Sequence, residues 1–340
     1  MSFKYRLEAS AGQHFAGGMR KIVTRQQLPD LHALALHSLT IEPGGLRELH
    51  WHTNAGELNY CLQGQGVAGI FTGEGNGYTM EISAGSATFV PLGATHYIRN
   101  IGSDLLRVMV AFSHEEPEHL DFSETLAYVP REYLAQTFGQ STEAFPALPN
   151  ITDRFLVKMN GQTSADKPDL HDLPATQLYT ANVERIVPKV YEGGTVHELS
   201  TTQIPGLSGI TVFALHVEAH GLREPHWHPN ANELNYCVRG AAQVGIVAPG
   251  GSWETMNIEA GDVLFVPLNY FHYIASISDE PLDLLTFFSH SRPAHIDLTQ
   301  QFDYFAPELL AASYKLNPKL FKDWPRRGDV FLAGKQPHGV

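Results

Sequence analysis

Cysteine is nearly absent, with two in 340 residues, and basic residues are few: 23 Lys plus Arg against 36 Asp plus Glu, a formal net charge of -13. Two thiols cannot staple a disulfide scaffold, so the fold must rest on hydrophobic cores. The acidic balance argues against nucleic acid and against anionic membranes as partners, because both demand cationic surface. No apolar run approaches the roughly 18 to 20 residues of a membrane helix. The opening MSFKYRLEASAGQHFAGG lacks the apolar stretch of a secretory signal. The expectation is therefore a cytoplasmic, reduced protein with Cys61 and Cys237 as two separate buried thiols. Low-complexity tracts are also missing, and 43% hydrophobic content over this length suggests two ordinary domains.

What is present in abundance is repetition. ELHWHTNAGELNYCLQG at 48–64 returns as EPHWHPNANELNYCVRG at 224–240, a shift of 176 residues. Between 44 and 64, 15 of 21 positions equal their partners. The same shift superposes Gly17-Gly18 on Gly193-Gly194, Pro29 on Pro205, Gly85 on Gly261, Pro91 on Pro267 and FSH 112–114 on FSH 288–290. Internal duplication at this density means two copies of one folding unit.

Within each copy the texture is all-β. Strand-length runs such as VAGIF, ATFVP and LLRVMVAF, or QVGIV, VLFVP and LDLLTFF, are punctuated by Gly, Pro and Asn turns at close spacing. Helices are expected only at 130–139 and 306–316, each beginning near a proline that suits a first helical turn. The Pro-rich, small-residue stretch between the copies reads as an extended linker. The expected organisation is an N-terminal domain over 1–140, a linker over 141–176 and a C-terminal domain over 177–340.

The repeated segment carries the chemistry. His50 and His52 alternate onto one face of a strand. Glu57 has the opposite parity, so the turn-rich Thr53-Asn54-Ala55-Gly56 must fold the chain back to aim it at them. His96, after PLGAT, supplies a third imidazole from a later strand. His226, His228, Glu233 and His272 repeat the set at unchanged spacing. Three imidazoles and one carboxylate form a mixed N/O site for a divalent first-row metal such as Mn2+, Fe2+ or Ni2+. Four protein ligands leave two positions of a six-coordinate ion for water, dioxygen or a substrate oxygen. Asn59 and Asn235 share the inward parity of Glu57 and Glu233, suited either to bind a ligand or to tune the metal from behind. His114 and His290, in the repeated FSH, are expected to be architectural.

GGLRELHWHTNAGE with PLGATH, and GLREPHWHPNANE with PLNYFH, resemble the two motifs of the cupin superfamily. The duplication and the arginine three residues before the first histidine resemble the bacterial bicupins of the oxalate decarboxylase family. The resemblance implies two tandem jelly-roll β-barrels with short helical appendages and one Mn2+ per domain, held by the eight residues above. It implies Arg47 and Arg223 projecting into their sites to bind a small carboxylate, and a homo-oligomer, trimer or hexamer. The implied reaction is decarboxylation of oxalate to formate and CO2. The alternatives are oxalate oxidation, with dioxygen as co-substrate and peroxide as product, another cupin dioxygenase, and a metal- or carboxylate-binding bicupin without turnover. Decarboxylases of the family carry a glutamate in a SENST-like lid, where this chain has AFSHEEPEHLDFS at 111–123. Glu115, which faces Ser291 in the other copy, is the expected lid acid beside Arg47 and Arg223.

Overall fold

A computed structural model describes residues 3–73, 75–146, 154–159, 178–322, 324 and 330–334. Each half folds into two facing antiparallel sheets. In the first half one sheet runs Thr180–Asn182, Ser86–Val90, Glu57–Gln63, Leu106–Phe112, Ala35–Ile41, Gly18–Val23 and Gln13–Phe15. The other runs His119–Asp121, Gly45–His52, Thr95–Asn100, Gln65–Phe71 and Gly77–Ser83. The second half repeats this order 176 residues later. The hydrogen-bonded ladders do not close, so each barrel is a sandwich rather than a sealed cylinder.

The central strands are buried on both faces, which explains their near-continuous apolar runs. In Glu57–Gln63 the odd positions face the interior of the sandwich, and Leu58 and Tyr60 face outward into a second core. That second core lies between the halves: Leu58, Phe89 and Met109 pack with Leu234, Phe265 and Phe287 in one cluster. Each fully buried Leu or Phe here contributes roughly 1.5–3 kcal/mol by leaving water, so the two halves are held as one body. Leu58 and Leu234, next to the ligand glutamates in sequence, belong to this interface. Cys61 and Cys237 are buried free thiols in separate cores, pushed up by burial to about 11 and about 12.

Two findings alter the expected boundaries. First, the halves exchange arms. Lys4–Tyr5 pairs with the second half (Lys4 opposite Leu264), and Thr180–Asn182 pairs with the first (Thr180 opposite Thr88). Glu8 and Glu184 then accept hydrogen bonds from Tyr236 and Tyr60 across the exchange. Second, part of the expected linker is folded: Leu156–Lys158 pairs with Gly45–His52, and its counterpart Phe331–Leu332 pairs with Leu222–Trp227. Residues 147–153 and 160–176 of that linker lie outside the described residues. The Gly-Gly pairs are explained here. A Cβ on Gly17 would sit 2.3 Å from the Val157 carbonyl oxygen, and one on Gly193 2.1 Å from the Leu332 carbonyl. Only glycine lets the returning strand pass.

The expected helices form as Arg131–Phe138 and Pro307–Tyr314, the first ending on Gly139 in the left-handed conformation. Short helices at Phe122–Ala127, Leu298–Tyr304 and Pro318–Lys322 were not legible in the apolar pattern.

Candidate metal centres and their cavities

The sequence-predicted ligands converge. His50 and His96 are direct cross-strand partners, with ring centroids 4.0 Å apart, and the turn after His52 carries Glu57 back from the facing sheet. The Glu57 Oε2 atom lies 2.8 Å from Nε2 of His52 and 3.2 Å from Nε2 of His96. In the second half Glu233 Oε2 stands 2.8 Å from His228 and 3.1 Å from His272. In each set all four candidate ligand atoms fall within 4.8 Å of one another, and every residue is buried.

The tautomers are set from behind. Nδ1 of His50, His52 and His96 meets the backbone carbonyls of Glu48, Glu118 and Ala94 at 2.7, 2.8 and 3.0 Å. His226, His228 and His272 use Glu224, Ala294 and Tyr270 in the same way. A carbonyl only accepts, so each Nδ1 carries the proton and each Nε2 presents a lone pair to the centre. Three lone pairs and a carboxylate oxygen facing one another have no proton to share, and a cation resolves that repulsion. Burial and the Arg47 guanidinium push His50 well below its ordinary value, keeping it neutral and available as a ligand. Burial alone would raise the Glu57 carboxyl; charge on His96 and His52 would hold it well below the usual range, and with both imidazoles neutral a bound cation takes over that role. Hard carboxylate with borderline imidazole suits Mn2+.

Asn59 and Asn235 behave as supports. Their amides donate to Glu57 Oε1 at 2.8 Å and Glu233 Oε1 at 2.7 Å, fixing the ligand carboxylates. Of the two expected roles, these contacts support tuning the metal from behind. Asn54 and Asn230, in the turn, hold the loop that follows FSH: Asn54 bonds Glu116 and Glu118, and Asn230 bonds Arg292 and Ala294. His114 and His290 accept from backbone amides within that loop.

Arg47 reaches the site despite its parity. His96 faces His50 while Ile98 faces Arg47, so Gly45–His52 carries one extra residue, a bulge that turns Arg47 to the ligand face. Arg223 is turned by the same bulge, where Pro225 is tolerated because no ladder amide is needed. Arg47 is 2% exposed, its Nη1 lies 2.8 Å from Asp121, and its guanidinium stacks 3.8 Å over Phe155. Its Nη2 is buried and has no hydrogen-bond partner among the described residues. Arg223 pairs with Asp297 at 2.8 Å.

Glu115 is not brought into the site. Its carboxylate binds Arg25 at 2.5 Å and the Ala33 amide at 2.8 Å, and it does not line the cavity. Burial would raise it, but the Ala33 amide, His32 and Arg25 hold it below its ordinary value, the reverse of what a proton donor needs. Of the titratable residues described in that segment, His119 lines the cavity, with Nε2 3.8 Å from Asp121. Burial, then Arg47, push its imidazole down to about 4. His295 and Asp297, 3.3 Å apart, repeat the arrangement. The 176-residue shift superposes Pro117, His119 and Asp121 on Pro293, His295 and Asp297, a signal hidden behind the unlike acidic residues before it.

The comparisons agree with this geometry. A family model described as Cupin matches residues 10–144 and 183–321. The chain is 31% identical to the oxalate decarboxylase of Bacillus subtilis over 84% of its own length and 74% of that protein's. It is 26% identical to an oxalate decarboxylase of Arthroderma benhamiae over 92% of its length and 80% of that protein's. A solved structure of the B. subtilis enzyme superposes with TM-score 0.86 at 25% identity, covering 98% of this chain and 88% of that one. Another structure of that enzyme concerns its Mn(II) centres. With two family matches, two His3Glu centres and a like architecture throughout, the chain belongs to the cupin family, as a bicupin of the oxalate decarboxylase group.

Proposed function

We propose that this protein is a manganese-dependent enzyme that cleaves oxalate, or a similarly small dicarboxylate, to formate and CO2, with the N-terminal centre as the principal site. The observation that carries the reading is the orphaned Nη2 of buried Arg47, beside four metal ligands in a cavity of about 20 Å3. A buried, unsatisfied guanidinium nitrogen costs free energy unless an anion meets it. Mn2+, when bound, supplies a Lewis acid with open positions for carboxylate oxygen.

The chain's own residues do the rest. Arg47, held by Asp121 and by the Phe155 ring, binds the carboxylate and stabilises the charge that shifts as the C–C bond breaks. Leu39, Ile98, Val110 and Phe112 line the cavity and exclude water from the carbon left behind. That carbon takes a proton to become formate; His119 lines the cavity as a neutral imidazole, suited to hold the water that delivers the proton rather than to donate as an imidazolium. His119→Gln should abolish formate while two Mn per chain remain bound; unchanged formate output removes His119 from the mechanism.

A second reading is favoured by one observation: Glu57 is the only carboxylic acid lining the N-terminal cavity among the described residues. A site without a free lid acid suits oxalate oxidation, in which dioxygen is reduced to peroxide and both carbons leave as CO2. Formate, peroxide and oxygen uptake measured together on Mn-loaded protein separate the two. Formate without net oxygen loss supports the first reading, peroxide the second, and neither product overturns both.

The helical appendages expose Tyr128, Tyr133 and Phe138 in one half and Tyr304, Leu309 and Tyr314 in the other. Such apolar surface supports self-association, which sedimentation would test. The unpaired thiols support a reducing, cytoplasmic setting, testable by cell fractionation.

A further inference from the structure

The two centres share their ligands but not their surroundings. Around the N-terminal cavity, Arg20 and Arg47 both stack on Phe155, at 3.9 and 3.8 Å from the ring centroid. Among the described residues Arg20 hydrogen-bonds the neutral Gln13 side chain, and Asp121 is the one carboxylate facing both arginines, so the surroundings carry about one positive charge in excess. The counterparts of Arg20 and His37 are Val196 and Phe213, both neutral. Arg223 is balanced by Asp297, and Glu198, in the cavity wall, is balanced by Lys189 at 2.7 Å. The C-terminal site thus has about one positive charge fewer.

The mouths differ too. In the first half Glu115 bridges to Arg25 and to the Ala33 amide, and His37 and Leu39 are buried behind it. In the second half these positions become Ser291 and Thr201, the bridge cannot form, and Phe213 and Leu215 are only half-buried. A cavity of about 360 Å3 opens there, lined by Ile186, Leu199, Ser200, Gln203, Ser291 and Arg292. It shares Val196, Glu198 and Phe213 with the cavity of about 50 Å3 above His226, His228 and Glu233. Val196 and Glu198 share one face of Gly194–Glu198, and with Phe213 they line both spaces, so the larger adjoins the smaller as its vestibule.

We infer that the C-terminal centre binds a ligand of a different class from the N-terminal one: a monocarboxylate bearing a second oxygen on the adjacent carbon and an apolar body that fills the vestibule. The carboxylate meets Arg223, and the body lies against Val196 and Phe213. A dianion such as oxalate is favoured only where the extra charge of Arg20 is present. The inference rests on both halves holding metal, not on the oxalate chemistry proposed above.

The test uses Mn-loaded full-length protein, with oxalate and phenylpyruvate as probes, followed by calorimetry and by the Mn(II) electron paramagnetic resonance signal. Phenylpyruvate should bind at one equivalent per chain. Thr201→Arg/Ser291→Glu, which imports the first half's bridge, should weaken phenylpyruvate at least about tenfold while Mn content stays at two per chain. Arg20→Val should weaken oxalate by a similar factor, about the effect of losing one nearby charge, and leave phenylpyruvate unchanged. If the double variant loses metal, Ser291→Trp fills the same vestibule with less rearrangement. No phenylpyruvate binding to the parent protein, or equal binding after the vestibule is filled, overturns the inference. Absence of formate with these binding differences intact overturns the oxalate reading alone.

Discussion

Replacing Arg47 by methionine tests the core of the proposed mechanism. Two separable effects follow from the structure. The first is loss of a charge-assisted hydrogen bond to substrate from Nη2, about 1.5–3 kcal/mol, or roughly a 10- to 150-fold fall in kcat/KM for oxalate. The second is structural: Asp121, 3% exposed, loses its 2.8 Å partner and becomes a buried charge left with the longer contacts of His119 and Arg154, at 3.8 and 3.9 Å. Stranding one member of a buried pair costs about 3–5 kcal/mol, and about 3 kcal/mol in a domain of this size lowers the unfolding midpoint by roughly 6–12 °C. Arg47→Met/Asp121→Asn removes the stranded charge, so it should recover most of the midpoint and none of the turnover. The assays are formate release under saturating Mn2+ and a thermal melt. Turnover within about twofold of the parent in the single variant would refute substrate binding by Arg47. A double variant no more stable than the single one would refute the stranded-charge account.

Other outcomes follow from the same geometry. His96→Ala should reduce bound Mn from two per chain to one, and full retention would contradict the ligand assignment. Asn59→Ala frees the Glu57 carboxylate and should weaken Mn binding at the N-terminal centre by about 10- to 100-fold, read by metal titration. Glu115→Gln should leave formate production within about twofold while lowering stability by about 1–3 kcal/mol at neutral pH through the lost Arg25 and Ala33 contacts. Because the Glu115 carboxyl is held below its ordinary value in the fold, that stabilisation is present above the unfolded carboxylate range and disappears as pH falls through the folded one. Melts of the variant and the parent should therefore converge in acid, and a constant gap down to pH 3 would refute the ion pair as its source.

The sequence revealed the centres more completely than their surroundings, for physical reasons. Ligand sets must repeat residue type and spacing, so His50, His52, Glu57 and His96 stood out once the 176-residue shift was found; strand alternation put the first two on one face, and the turn at 53–56 accounted for Glu57. Arg47 was visible, but its route into the site was not, because a bulge is an extra residue in a pairing and leaves no mark on one strand alone. The exchanged arms and the strand at 156–158 were missed because two- and three-residue strands carry no period to detect. Glu115 failed for a different reason. Its position after the last long strand fitted a lid acid, and only the fold shows that Arg25, 90 residues earlier, had claimed it.

That claim also bears on why a duplicated chain would keep two centres. If both halves performed one reaction on one substrate, the residues around each metal would be under the same geometric demand, and the pairs Arg20/Val196, His37/Phe213 and Glu115/Ser291 would have no reason to differ in charge and bulk. They differ while every ligand, every carbonyl behind a ligand histidine and both His-Asp lid pairs are matched. Metal retention therefore has one cause and pocket shape another. Divergence around matched ligands selects which anion arrives without altering how the metal is held.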